Sequence, residues 1–298
     1  MKTSQEIMIS FLSRLEKEKT KEDYKRDLQS FIEFIGKSFL DANLEDCKKY
    51  ITDLKQKVSK KKIAITTAEK LYSQLYSFFN YLEENHYISY NHFKNISKPT
   101  ASRNISKEKI ITWESLDKLI SILKTYNLRD YSILMLIFTS GLTLNEAVNL
   151  KWNQFVIDDN ENVGIIFTTK RGKRYTKVHK DIWELLQKYK NNLSGLVTQD
   201  SYVFLNNRGN KITGRWIRMV LKKACIEAEL DHEYTPRDLR HTLAAYALKK
   251  GASSKQVKQQ LGWSSSSLAQ RYLYTIQQLE DNAIDYLNFS LKKDDCSK

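Results

Sequence analysis

Residues 129–178 read RDYSILMLIFTSGLTLNEAVNLKWNQFVIDDNENVGIIFTTKRGKRYTKV. The opening RDYSILMLIFTS is apolar nearly all round, which predicts a helix buried on every side. From Phe155 the character changes. Phe155-Val-Ile, then Val163-Gly-Ile-Ile-Phe-Thr-Thr, then Arg174-Tyr-Thr-Lys-Val are short strand-like runs, separated by the polar turns DDNEN and KRGK. The expected fold is therefore mainly α with a small antiparallel β-sheet inserted.

Helical spacing dominates on both sides. Segment 4–16 carries Ile7, Ile9, Phe11, Leu12 and Leu15, and segment 20–35 carries Tyr24, Leu28, Phe31, Ile32 and Ile35. Thr20 followed by Asp23 suggests a capping box at the start of the second segment. Segments 44–55 and 65–83 repeat the pattern, so the first hundred residues read as a bundle of four or five helices. SKPTASRNISKEK (97–109) is polar, basic and carries Pro99, as an interdomain linker would. The boundaries expected are 1–97 for a helical domain, 98–110 for the linker and 111–298 for the second domain. Beyond the strands, helices resume near 181, 213, 237 and 253. The stretch 275–291, with Ile276, Leu279, Ile284 and Leu287, is a further candidate.

The formal net charge is +14, spread along the chain rather than gathered in a tail. Such a surplus points to nucleic acid or another anionic partner, or to solvated lysine faces. Three scattered cysteines, Cys47, Cys225 and Cys296, suggest a reducing compartment and show no metal spacing. Nothing in the sequence implies a metal or cofactor. The N-terminus lacks the apolar run of a signal peptide, and the apolar stretch Ile133–Phe138 is too short to cross a bilayer. The expectation is a soluble, cytoplasmic protein.

Four ordered boxes carry a resemblance. SGLTLNEAVNLKW (140–152), TTKRGKRYTKV (168–178), TPRDLRHTLAAYAL (235–248) and LGWSSSSLAQRY (261–272) together resemble the tyrosine-recombinase, or phage integrase, family, including its Xer-like members. The resemblance spans about residues 5–290. It implies a two-domain fold, a SAM-like core-binding domain followed by a catalytic-type domain, closing on duplex DNA as a C-shaped clamp. It also implies the chemistry. A tyrosine attacks the scissile phosphate and forms a 3′-phosphotyrosyl link. Two arginines clamp the phosphorane, a lysine protonates the leaving oxygen, and a histidine assists.

On this sequence the nucleophile position falls on Tyr272, with Tyr274 as a rival. Arg240 matches the second arginine. Lys170 is the hairpin lysine, with Lys173 as the alternative. Trp263 stands where a histidine or tryptophan is found, and His241 reads as a satisfied buried histidine. Two positions depart from the pattern. Thr143 stands where the first arginine belongs, and Arg237 where the box histidine belongs. A threonine supplies neither charge nor a guanidinium fork, and arginine is no base near neutral pH. Arg237 swinging into the space left by Thr143 is one compensation to look for.

The same resemblance proposes DNA contacts. In the first domain they are Lys21, Lys25, Arg26, Lys60, Lys61, Lys62, Thr67 and Lys70. In the second they are Arg171, Lys173 and Arg174 on the hairpin, and Arg215 and Arg218 at the start of a helix. Each is equally readable as solvated surface. The function expected is a sequence-specific, double-stranded DNA-binding protein deficient in strand cleavage, acting as a phage repressor or regulator of a mobile element. The alternative is an active recombinase. Free in solution, a monomer or weak dimer is expected.

Overall fold

The computed structural model describes residues 3–100, 107–169, 172–193 and 197–280, with side chains in the final helix as far as Leu273. It divides into two compact units, Met1–Ser102 and Arg103–Lys298.

The first unit contains α1 (Ser4–Ser13), α2 (Glu18–Ile35), α3 (Leu44–Ser59) and α4 (Ile65–Glu84). Their apolar stripes meet in one core that includes Ile7, Phe11, Leu28, Phe31, Ile51, Leu75 and Phe79. Aromatic edges meet faces throughout, as between Phe31 and Tyr50 at 5.1 Å and between Phe79 and Phe93 at 4.9 Å. Thr3 with Glu6 and Asn43 with Asp46 form reciprocal caps on α1 and α3. The capping box expected at Thr20 does not form. Helix α2 begins at Glu18, with Lys17 as an N-cap that makes no side-chain bond. Asp23 therefore lies inside the helix, where its carboxylate pairs with Arg26 at 2.9 Å.

The second unit starts with α5 (Trp113–Leu123), α6 (Leu128–Ser140) and the short α7 (Leu144–Asn149). Five consecutive residues of α6, Ile133–Ile137, are buried, as the all-round apolar pattern requires. Strands β1 (Phe155–Ile157), β2 (Val163–Thr169) and β3 (Gly172–Val178) form an antiparallel sheet in the order β1-β2-β3. Phe155 pairs with Ile165, and Ile166 with Tyr175. There follow α8 (Lys180–Asn191), α9 (Gly214–Glu227), α10 (Pro236–Lys249), α11 (Ser254–Leu261) and α12 (Ser267–Glu280). Helix α6 packs against α8, α9, α10 and β3. A satellite core joins α10, α11 and α12 through Ala244, Leu248, Val257, Leu261, Ala269 and Tyr272.

The alternation of β3 positions the site. Thr176 and Val178 are buried, and Arg174 shares their face. Lys173, Tyr175 and Lys177 point the other way and are exposed. Cys47 and Cys225 are buried free thiols. Among the described residues no helix is long and apolar enough to cross a membrane. Of the C-terminal stretch 275–291 suggested by sequence, residues 275–280 form the end of α12, and the rest lies outside the described residues.

Candidate active site

Helix α10 begins with Thr235 as N-cap, reciprocally bonded to Asp238, and with Pro236 in its first turn. This start places Arg240 and His241 in the second turn. His241 Nδ1 and the Tyr272 hydroxyl share a short hydrogen bond. The indole of Trp263 stacks on the Tyr272 ring, with centroids 5.3 Å apart and planes 13° apart. Tyr272 is only 3% exposed. Burial pushes its hydroxyl up to about 12, against the pull of Arg240, Arg237 and Arg271. Burial also pulls His241 down to about 4, helped by the nearby charge of Arg237, so the imidazole is neutral at pH 7. The pair is a protonated phenol held against a weak base.

Arg240 donates through Nη2 to the Leu261 carbonyl at 3.1 Å. Burial lowers it from its usual value to about 10, with Glu146 opposing, so it remains a cation at neutral pH. Its Nη1 is buried and has no hydrogen-bond partner among the described residues.

Thr143 serves as the N-cap of α7. Its Oγ1 accepts from the Glu146 N–H at 3.2 Å, and Glu146 Oε2 accepts from the Thr143 N–H at 2.7 Å. The remaining oxygen of Glu146, Oε1, accepts from Arg174 Nη1 at 2.8 Å. Arg174, expected to face phosphate from the hairpin with Arg171 and Lys173, turns inward to Glu146 instead of outward with Lys173. The cause is the parity of β3: counting back in twos from buried Val178 brings residue 174 inward. Arg237, considered as a replacement cation, is instead exposed. A missing charge at residue 143 is therefore not a missing charge beside Glu146.

Lys170 and Arg171 lie outside the described residues, as does the side chain of Tyr274. Lys173 is exposed on the face of β3 opposite Arg174. Arg215 and Arg218 are exposed on α9. In the first unit Lys25, Lys60, Lys61, Lys62 and Thr67 are exposed. Lys21 pairs with Glu18 at 2.6 Å. Arg26 and Lys70 pair with Asp27 at 3.1 and 2.9 Å, linking α2 to α4. Their charge is largely answered within the protein, and this makes them weaker candidates for phosphate contact than the exposed lysines.

Tyr272, His241, Trp263, Arg240 and Glu146 thus come together from α7, α10, α12 and the turn after α11. Residues 109–278, more than half of the chain, match the phage integrase family. The chain belongs to that family. Tyrosine recombinase XerC of Oceanobacillus iheyensis is 28% identical over 268 residues, covering 84% of each chain. Tyrosine recombinase XerD of Listeria monocytogenes is 27% identical over 262 residues, covering 84% of this chain and 86% of that one. The fold is shared with XerH site-specific recombinase, solved in a post-cleavage complex with a palindromic difH substrate. That likeness has a TM-score of 0.72 at 20% identity, covering 87% of this chain and 77% of that one. It is shared too with a lambda integrase dimer bound to a core site, with a TM-score of 0.69 at 17% identity, covering 89% and 95%. The two-domain tyrosine-recombinase fold expected from the four boxes is the fold of this family member.

Two roles are not legible in the sequence. His241, expected as a satisfied buried histidine, holds the Tyr272 hydroxyl. Arg174 was grouped with its basic neighbours, although strand parity separates it from them.

Proposed function

We propose that this integrase-family member binds duplex DNA at a specific sequence, seats one backbone phosphate beside Arg240, and cleaves the strand slowly or not at all. In this reading it acts from the cytoplasm as a repressor or regulator of a phage or mobile element. One observation carries the deficit in cleavage: at residue 143 the side chain is a helix cap, and no guanidinium fork extends from it. Arg174 answers part of this loss. It is already held through Nε, Nη1 and its ring-facing side, so it has one nitrogen left rather than a bidentate pair. Losing a transition-state donor typically costs ~10²–10³ in rate. Residue 237 adds to the deficit, because arginine there cannot exchange a proton near neutral pH. Sequence choice would come from groups reaching base edges, while phosphate contacts supply affinity.

A second reading, an active recombinase, is favoured by the intact Tyr272–His241 pair beside Arg240. A nicked suicide duplex containing the protein's own selected site separates the two. The expected result is no covalent adduct with wild type and an adduct with T143R. A wild-type adduct that vanishes in Y272F overturns the first reading and establishes the second.

A further inference from the structure

Two largely buried guanidinium groups approach the same stretch of backbone, Leu261–Gly262. Arg240 holds the Leu261 carbonyl. Arg174 Nη1 lies 2.1 Å from where a Cβ on Gly262 would stand. This close approach is open only because residue 262 is glycine, which also takes the φ of +67° that caps α11. Each guanidinium keeps one nitrogen, Nη2 of Arg174 and Nη1 of Arg240, buried without a hydrogen-bond partner among the described residues. Burying such a donor unpaired is costly, and two of them in one place point to an absent acceptor.

The rest of Arg174 is fixed. Its Nε donates to Thr176 Oγ1 at 3.2 Å, its Nη1 donates to Glu146, and its Cζ lies 4.7 Å from the Phe167 ring centroid. One carboxylate, Glu146, faces two guanidinium cations, so the pocket is left with positive charge. That carboxylate also receives the Thr143 N–H, which places Arg174 just across it from residue 143. The two cations also feel each other, since Arg174 is among the groups that lower Arg240.

We propose that Arg174 and Arg240 together form the phosphate clamp of this protein, with Arg174 supplying from strand β3 the cation that residue 143 lacks. The acceptor is a non-bridging oxygen pair of a DNA backbone phosphodiester. The clamp rests on the DNA-binding reading above and holds whether or not cleavage follows. It gives Arg174 a role distinct from buttressing Glu146, because buttressing leaves Nη2 with nothing to do.

The test uses the full chain and duplexes selected by the wild type from sheared genomic DNA, titrated by fluorescence anisotropy across a salt series. Each phosphate contact adds about 0.9 to the slope of log affinity against log salt. R174Q should bind about tenfold more weakly and lose about one unit of slope. T143R/R174Q should recover the slope, because it returns a guanidinium to the other side of Glu146. A purely structural Arg174 would not be rescued from a different element. Should R174Q fail to fold, R174K carries the test. A folded R174K should keep the slope and lose about threefold in affinity, as a point charge replaces a planar fork. Wild type without salt-dependent duplex binding would sink the DNA-binding reading itself. Wild type that binds, with R174Q or R174K unchanged in both affinity and slope, would overturn the clamp alone. So would a loss in R174Q that T143R leaves unrepaired.

Discussion

His241 follows Arg240 directly on α10, yet the two side chains meet opposite electrostatic demands. The guanidinium stays charged under burial because Glu146 is near. The imidazole is kept neutral by burial, with Arg237 close by adding to the effect. A histidine held down at about 4 against an ordinary 6.5 stabilises the fold fully above pH 6.5. That contribution is lost as the pH falls from 6.5 toward 4, since the unfolded chain then binds a proton that the folded chain refuses. With allowance for solvent screening of a partly exposed ring, the effect is about 2 kcal/mol. Urea midpoints for wild type and H241Q at pH 7 and pH 4.5 read it as a difference, so that titrating carboxylates common to both proteins cancel. Wild type should lose more stability than H241Q over this interval, and parallel losses would show that His241 is not the group responsible. At this scale the motif residues Tyr272, Arg240 and Trp263 were legible because their spacing is local to two helices and a turn. The Tyr272–His241 bond was not, because it spans 31 positions and depends on how α12 packs on α10.

Element by element, β3 decides more than its seven residues suggest. The run Arg174-Tyr-Thr-Lys-Val was legible as a strand, and its parity was legible too once Val178 was taken as buried. What sequence could not supply was the neighbour on that face, which is the α11 terminus at Gly262. There a left-handed backbone and a missing Cβ admit the Arg174 side chain. G262A should therefore incur two penalties. The first is backbone strain at positive φ, of order 1 kcal/mol. The second is collision with Arg174, whose Nη1, Cδ and Cζ stand 2.1, 2.5 and 2.7 Å from the added methyl group. Gly36 is the control. It caps α2 at φ +66° with nothing within 4 Å of an added Cβ, so G36A carries the strain alone. Denaturant midpoints should place G262A below G36A by a further 1 kcal/mol or so, on the scale of a mild overpacking. G262A should also weaken duplex binding as R174Q does, while G36A leaves it unchanged. Equal stabilities for the two variants would mean that the guanidinium moves aside freely, and that Gly262 is kept for its φ alone.

For the molecule as a whole, a surplus of +14 states that an anionic partner is expected but not where it sits. Composition counts Lys60, Lys61 and Lys62 as equal to Arg26 and Lys70, and the fold does not. The three lysines crowd the exposed turn between α3 and α4, where the chain turns left-handed at Lys61 with φ 55°. Arg26 pairs with Asp23 and Asp27 within α2, and Lys70 reaches the same two carboxylates from α4. A charge paired at about 3 Å gives a phosphate less, because the existing partner must first be displaced or shared. Like charges on adjacent residues, by contrast, repel one another when free and are relieved by a polyanion. Salt dependence can separate these classes, since its slope counts the phosphates neutralised rather than the cations present. Replacing Lys60, Lys61 and Lys62 together by glutamine should flatten the slope by about two to three units if each meets a phosphate. R26Q should change it by well under one unit. The lysine variant touches no buried group, and R26Q leaves the buried Asp27 carboxylate its Lys70 partner, so melting temperatures should stay near enough to wild type to leave the slopes comparable. If R26Q flattens the slope as strongly as the triple variant does, the Arg26 pairs with Asp23 and Asp27 within α2 open on DNA, and the turn after α3 loses its claim as the main phosphate contact of the first unit.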